Sequence, residues 1–217
     1  MDLYEAMRCA PTSRSFGDEP VSPDKLERAL DSARFAPSGG NRQGWRVVVV
    51  RDPELRKGLA ELYLPPWRAY MEQTGGAAMM ANPDGQDAKG LRMVRRANAY
   101  AEELADVPVH LVIGVCMGDV LATDANLDRT SIVGGASIYP FVQNLLLALR
   151  AENLAAAMTT LLVPAEQQVR ELLSIPDDVA LACHVGVGNP GEPWPKALTR
   201  RPVSDFAFAD RYGTPLS

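Results

Sequence analysis

Four short apolar runs, each bounded by turn residues, constrain the fold of this chain more than any other feature of its sequence. They lie at Trp45–Val50, 108–115, 155–162 and 179–188. Each run predicts a strand, and the first, a continuous β-branched run, has the pattern of a strand buried on both faces. Strands that alternate with helical segments predict an α/β or α+β sandwich in which helices cover one sheet.

Helical periodicity fills the intervals between these strands. Ser22 and Pro23 supply an N-cap and a first helical residue, and apolar residues then recur at helical spacing to about Ala36. A second helix is predicted from Asp52-Pro53 to about residue 62, resuming over 66–72. Further helices are predicted over 1–8, 91–104, 131–152 and 164–173.

Residues 73–89 interrupt the periodicity. The stretch QTGGAAMMANPDGQDAK contains several helix breakers, which is typical of a loop or a mobile insertion. A length of 217 residues favours a single domain over 1–217. Within it we expect the excursion 66–104 to act as a lid.

The charge balance argues against two classes of partner. The chain has 22 basic and 27 acidic residues, a formal net charge of −5, so its overall field repels nucleic acid and anionic membranes. An anionic ligand must therefore find a local cluster of cations. Of the basic residues 18 are arginines, which favour planar recognition of phosphate or carboxylate.

The cysteines and the N-terminus indicate a cytoplasmic protein. Cys9, Cys116 and Cys183 are odd in number and widely spaced, which argues against a disulfide framework and against a thiolate zinc site. The N-terminus carries Asp2 and Glu5 instead of a basic export signal, and the apolar runs are too short to span a bilayer.

The two histidines, His110 and His184, each fall inside a predicted strand. Two histidines exclude a metal site built on several of them, and we expect no metal ion. A catalytic triad would have to use one of the two, and no GxSxG elbow accompanies them. We therefore expect both side chains to pack in the core or to bond to the backbone.

Three segments are candidates for ligand binding on their residue types. The loop 36–45 joins two glycines to the neutral polar side chains of Ser38, Asn41 and Gln43, which suit a heteroaromatic edge or a polyol. A helix C-cap followed by a polar turn would have the same composition. The strand end at Thr159-Thr160 follows small residues that leave room for a flat ring, although a buried strand explains it equally well.

The third segment is a pair of basic clusters near the two chain ends. Arg8 precedes Thr12-Ser13-Arg14, and Arg200-Arg201 lies in the tail. Arginines joined by hydroxyl donors are a common way to hold a phosphate on an acidic protein. Taken singly, each cluster could equally be a solvated face.

The tail 189–217 is rich in proline and ends in aromatic residues. Such a segment cannot pack on itself and must lie along its own chain or a partner's. We therefore favour an intertwined homodimer.

Three motifs in this order resemble the nitroreductase family of FMN-dependent oxidoreductases. They are T-x-R-x-F-x-x-x-P-V over 12–21, A-P-S-G-G-N-x-Q-x-W-R over 36–46, and R-R-P over 200–202. The resemblance implies an α+β fold with a central, mostly antiparallel sheet flanked by helices. It also implies an intertwined homodimer with FMN at the interface.

The resemblance assigns roles to particular residues. Thr12 and Arg14 match the family's phosphate and ribityl contacts, and Arg200 and Arg201 approach the same phosphate from the tail. The loop that addresses the flavin from the neighbouring subunit comprises Pro37, Ser38, Gly39, Asn41 and Gln43.

Two positions depart from the family pattern. Thr159 and Thr160 stand where its backbone faces the flavin N5 edge, often through an acidic-glycine or glycine-glycine pair. Ala10 stands where the family often has an arginine, for which Arg8 is a candidate substitute one helical turn away.

The implied activity is ping-pong reduction of an electron-poor small molecule, such as a nitroaromatic or a quinone, with NAD(P)H as donor. No side-chain nucleophile is then required, because the flavin carries the chemistry. Alternatives are a deazaflavin donor, a dehalogenating or flavin-converting relative, and a non-catalytic module that sequesters flavin. A flavin-free dimer in which residues 38–43 form a structural turn also remains open.

Overall fold

A single sheet forms the centre of the computed structural model, which describes residues 1–216. Its five strands follow the order β1-β5-β3-β2, with β4 also paired to β5, and all these pairings are antiparallel. The strands are β1 (Phe16–Gly17), β2 (Trp45–Val50), β3 (Val109–Cys116), β4 (Ala155–Thr159) and β5 (Val179–Pro190). β5 pairs with three strands, because β4 and then β1 follow one another along one of its edges.

Helices cover both faces of this sheet. They are α1 (Leu3–Cys9), α2 (Pro23–Ala33), α3 (Pro53–Gln73), α4 (Gly76–Ala81), α5 (Ala88–Glu102), α6 (Tyr139–Ala151) and α7 (Glu166–Leu173). Side chains alternate across β3, so Leu111 and Ile113 pack with α2 and α6 while Val112 packs with α3 and α5. Two hydrophobic cores therefore lie on opposite sides of the sheet, and the predicted α+β architecture is confirmed.

The prediction that β2 is buried on both faces is wrong. β2 is the last strand of the sheet, with Arg46 exposed and 39% of the Val49 surface accessible. A run of β-branched residues records strand propensity, but a strand's position in the sheet depends on pairing between distant segments.

The prediction of a helix interrupted before Pro66 is also wrong, because α3 continues through Pro65 and Pro66. An interior proline costs about 3 kcal/mol. The same turns bury Tyr63 and Trp67, and an aromatic side chain buries roughly 150–250 Å², or about 4–6 kcal/mol at 25 cal/mol per Å². Burial therefore outweighs the cost of the prolines.

The other large differences from the sequence predictions concern three segments. Within the expected loop 73–89, Gly76–Ala81 forms α4, whose Ala77 and Met80 pack against the core beneath α3. The long helix expected from residue 131 begins as α6 only at Tyr139, after a short 3₁₀ turn. β4 ends at Thr159 instead of 162, where the chain turns toward α7.

The two histidines form a buried pair between β3 and β5. His110 Nδ1 lies 2.7 Å from His184 Nε2, and both side chains are fully buried. The other nitrogen of each ring has no hydrogen-bond partner within residues 1–216. Burial lowers the pKa of His110 to about 4 and holds the pKa of His184 well below its usual value.

This pair predicts a loss of stability in mild acid. Free histidine titrates near pH 6.5, so below that pH the unfolded chain binds protons that the folded chain excludes. The contribution of the histidine pair to the free energy of unfolding is expected to be fully present above about pH 6.5. Below that pH the free energy of unfolding should fall, by up to about 1.4 kcal/mol per pH unit for each histidine. Urea unfolding between neutrality and pH 4.5 measures this slope.

Carboxylates titrate at lower pH than the histidines, so their effect on stability can be separated from that of the pair. Hydrogen bonds from Ile132 and Ser131 lower the pKa of Asp124 to about 2, so its contribution is lost only below about pH 4. His110→Gln should reduce the slope above pH 4.5, and a flat profile in the unsubstituted protein over that range would contradict the assignment.

Candidate functional site

Three of the cavities that border the segment Pro11–Arg14 form the candidate site. The Ser13 backbone N–H donates to the Ala156 carbonyl at 2.8 Å, which ties this segment to β4. We call the cavities the inner cavity (350 Å³), the α5 cleft (480 Å³) and the strand-end cavity (320 Å³). Thr12 lines the first two, and Arg14 lines the last two.

Among the described residues, the inner cavity is lined by two arginines and no acidic residue. Arg150 and Arg200 face it together with Thr12, beside the small side chain of Ala10. Within residues 1–216, Arg150 has no carboxylate partner within 4.0 Å, although only 8% of its surface is exposed. A buried cation without a counter-charge is costly, so this cavity favours an anion.

The Trp194 ring and the Cys9 backbone carbonyl hold the Arg150 guanidinium in place. It lies 4.0 Å from the centroid of the Trp194 ring, and the Trp194 Nε1–H donates to Asn153 Oδ1 at 2.7 Å. The Arg150 Nε–H donates to the Cys9 carbonyl at 3.4 Å. No sequence motif identified Arg150 as a site residue; the available signal was a single arginine at the end of the apolar run LLLALRA in α6.

The strand-end cavity lies where β4 ends. The Thr159 hydroxyl is 3.3 Å from the Tyr63 hydroxyl, so the Thr159 side chain faces α3. Burial raises the pKa of Tyr63, which keeps its hydroxyl protonated. Thr160 lines the cavity with Arg14, beside an aromatic wall that includes Trp67.

The loop containing Pro37, Ser38, Gly39, Asn41 and Gln43 lies elsewhere on the surface. The Ser38 side chain closes the loop, since its Oγ accepts from the Gln43 N–H at 2.9 Å. The Gly39 N–H donates to Ser137 Oγ at 3.2 Å and so ties the loop to the segment before α6. Asn41 and Gln43 have left-handed backbones, with φ of 53° and 54°. None of the loop residues lines the three cavities of the described chain.

Of the four arginines predicted to bind the ligand, only two line the cavities. Arg14 and Arg200 line the cavities, whereas Arg8 and Arg201 are exposed and line none of the three. The backbone of Arg8 instead anchors the tail, since its carbonyl accepts from the Leu198 N–H at 2.8 Å. Within a single chain, Thr12, Arg14, Thr159, Thr160 and Arg200 therefore surround one region.

Beyond Leu198 the tail is largely exposed. Val203 is 55%, Phe206 65% and Tyr212 94% exposed. Phe208 and Tyr212 contact each other, with ring centroids 4.7 Å apart. The tail thus carries aromatic side chains that its own chain leaves uncovered.

Among the helices of residues 1–216, none combines the length and the apolar character that a membrane crossing requires. Nor do three or more histidine, cysteine, aspartate or glutamate side chains in this part converge as a set of metal ligands.

An antiparallel sheet between helical layers, with an acid-free cationic cavity beside the N-terminal segment, defines an α+β protein suited to an anionic ligand. The chain belongs to the nitroreductase family, whose model matches residues 11–189. The predicted resemblance is therefore confirmed.

Known relatives carry different names. The chain is 29% identical over 197 residues to an iodotyrosine deiodinase of Drosophila melanogaster, covering 87% of this chain and 62% of the relative. It is 28% identical over 183 residues to an NADH dehydrogenase of Thermus thermophilus, covering 82% of each. The matches to two further relatives span only 37% and 23% of their lengths.

The fold is shared with a solved structure of iodotyrosine deiodinase bound to FMN and 3-iodo-L-tyrosine. That structure superposes with a TM-score of 0.70 at 22% identity and covers 98% of this chain and 100% of the other.

Proposed function

We propose that this protein is an FMN-dependent oxidoreductase that uses NAD(P)H to reduce an electron-poor small molecule. One observation carries the proposal: the inner cavity holds a buried Arg150, which has no carboxylate partner within residues 1–216, together with Arg200 and the Thr12 hydroxyl. Two guanidinium groups and a hydroxyl form a donor set that suits a phosphate monoester, which carries about −1.5 to −2 charges. Family membership and the FMN in the deiodinase structure support the same ligand.

The residues of the chain fit the remainder of FMN as well. Arg14 lies between the α5 cleft and the strand-end cavity, where its charge would stabilise an electron-rich flavin ring. Because Tyr63 engages the Thr159 hydroxyl, Thr160 is the side chain at this strand end left to meet the ring edge. When bound, FMN supplies the exchange of a hydride with donor and acceptor, and the protein positions it and tunes its charge.

We propose that a second copy of the chain completes the site. The loop 37–43 presents polar groups on the surface and lines none of the cavities, while the tail beyond Leu198 exposes its aromatic residues. A two-fold dimer would let both segments cover the partner's cavities, because each interface patch then occurs twice.

Reductive dehalogenation is the second candidate activity, and the names of the deiodinase relatives favour it. The strand-end cavity has an aromatic wall formed by Tyr63, Trp67 and Tyr70, which would accept a flat aromatic substrate. Reduction of a nitroaromatic and removal of a halogen from an aromatic ring would use the same wall.

The test is the visible absorption spectrum of the purified protein. We expect flavin bands, either as isolated or after addition of FMN, that bleach anaerobically with NADPH or NADH. A nitroaromatic or a quinone should restore the bands, whereas restoration by 3-iodo-L-tyrosine with iodide release would favour dehalogenation. Bands that resist both donors would indicate a binding module or another donor, and a colourless protein after FMN addition would refute the proposal.

A further inference from the structure

The α5 cleft has an uncompensated positive charge in an acidic protein. Four cations line it, Arg14 and three from α5 (Lys89, Arg92 and Arg96), against the single acid Glu192. Glu192 pairs with Arg96, and the other three cations form no ion pair within residues 1–216.

A neighbouring cavity provides the contrast. It measures 510 Å³ and also contains Arg14, with Arg56 as its second cation, but Asp18, Glu103 and Asp106 balance these charges. The unbalanced charge is therefore a property of the α5 cleft and does not extend to every surface near Arg14.

The three cations of α5 share one helix face. Their spacings of three and four residues place Lys89, Arg92 and Arg96 in line along the side that faces the N-terminal segment. Like charges at these spacings destabilise a helix by a few tenths of a kcal/mol per pair. An anion bound in the cleft would relieve this repulsion.

Apart from the hydroxyl side chains of Thr12 and Ser13, the rest of the cleft is apolar, and it adjoins the proposed flavin site. Met93, Pro193 and Trp194 line it, and Thr12 and Arg14 are shared with the other two cavities. Its volume of 480 Å³ lies within the usual range for small-molecule sites. Cations on one wall and apolar groups on the other suit a nucleotide, whose phosphates and base have these two characters.

We propose that the α5 cleft binds the 2′-phosphate end of NADPH and so determines the preference for NADPH over NADH. This inference rests on the proposed function, because a reduced nicotinamide must reach the flavin from the same side. Lys89 and Arg92 would hold the phosphate, since neither forms an ion pair within 4.0 Å in residues 1–216, while Glu192 engages Arg96.

Equilibrium binding tests the assignment without turnover. We expect 2′,5′-ADP to bind the FMN-loaded protein, measured by calorimetry, with an affinity that falls as salt increases; 5′-AMP should bind more weakly. Lys89→Ala and Arg92→Ala should each weaken 2′,5′-ADP binding by about tenfold. Arg95→Ala is the matched control, because Arg95 is an exposed cation of the same helix that does not line the cleft.

Steady-state kinetics supply the second readout. The same two substitutions should lower kcat/KM for NADPH by about tenfold each and leave kcat/KM for NADH unchanged. Equal losses with both donors, or failure of 2′,5′-ADP to bind the FMN-loaded protein, would overturn the inference. A colourless protein that still binds 2′,5′-ADP through Lys89 and Arg92 would refute the proposed function and leave the cleft assignment standing.

Discussion

Replacing Arg150 with methionine is expected to weaken FMN binding by about tenfold to more than a hundredfold. Arg150 is buried, lacks a carboxylate partner in the described chain and faces the inner cavity beside Arg200. A charge-assisted hydrogen bond contributes about 1.5–3 kcal/mol, and each 1.4 kcal/mol corresponds to about a tenfold change in affinity. Titration of the apoprotein with FMN, followed by flavin fluorescence, measures the loss.

Stability distinguishes a binding role from a structural one. Methionine removes a buried charge while keeping much of the volume, so Arg150→Met apoprotein should be at least as stable as the unsubstituted apoprotein. The rise in Tm that FMN produces should shrink in the variant, because that rise depends on affinity. Arg150→Lys, which keeps the charge, should bind FMN with intermediate affinity.

The two tail arginines provide a matched pair for the same cavity. Arg200→Ala should weaken FMN binding, whereas Arg201→Ala should have a smaller effect. Of these two adjacent arginines, Arg200 lines the inner cavity and Arg201 does not. Unchanged FMN affinity in a folded Arg150→Met variant would contradict the phosphate assignment.

Gly114→Ala is expected to lower the free energy of unfolding by about 2–3 kcal/mol, at the upper end of the usual cost of overpacking. A Cβ at Gly114 would lie 2.7 Å from Val179 Cγ1 and 2.8 Å from the Ala180 carbonyl oxygen. The oxygen belongs to the β5 backbone and cannot rotate away. Gly114 also borders the only shift in register between β3 and β5 in the described chain, so the strands are already irregular there.

Gly118→Ala is the matched control for this substitution. A Cβ at Gly118 would meet nothing within 4 Å, so the change should leave stability unaltered or raise it slightly by reducing the entropy of the unfolded chain. Denaturant unfolding of the two variants gives the comparison. Equal midpoints would show that β3 and β5 can separate locally without cost.

Local sequence pattern predicted several of the helices and strands correctly and failed for others. The sequence predicted β2 with its observed bounds and placed the start of α2 at the Ser22-Pro23 signal. It did not predict α4 or the continuity of α3, because these depend on what Trp67, Met71 and Met80 pack against. Helix propensities and helix-breaking residues reflect only the local segment, and the burial of its side chains against a distant segment can outweigh them.

The sequence by itself determined the family, the strand and helix pattern and a set of candidate cations, because short-range periodicity and motif spacing carry that information. Only the tertiary structure decided which cations share a cavity. Arg150, Thr12 and Arg200 line one cavity because α6, the N-terminal segment and the tail come together beside β4, although the three residues are far apart in the chain. Whether an arginine is paired depends on all the groups around it in space, which no local pattern records.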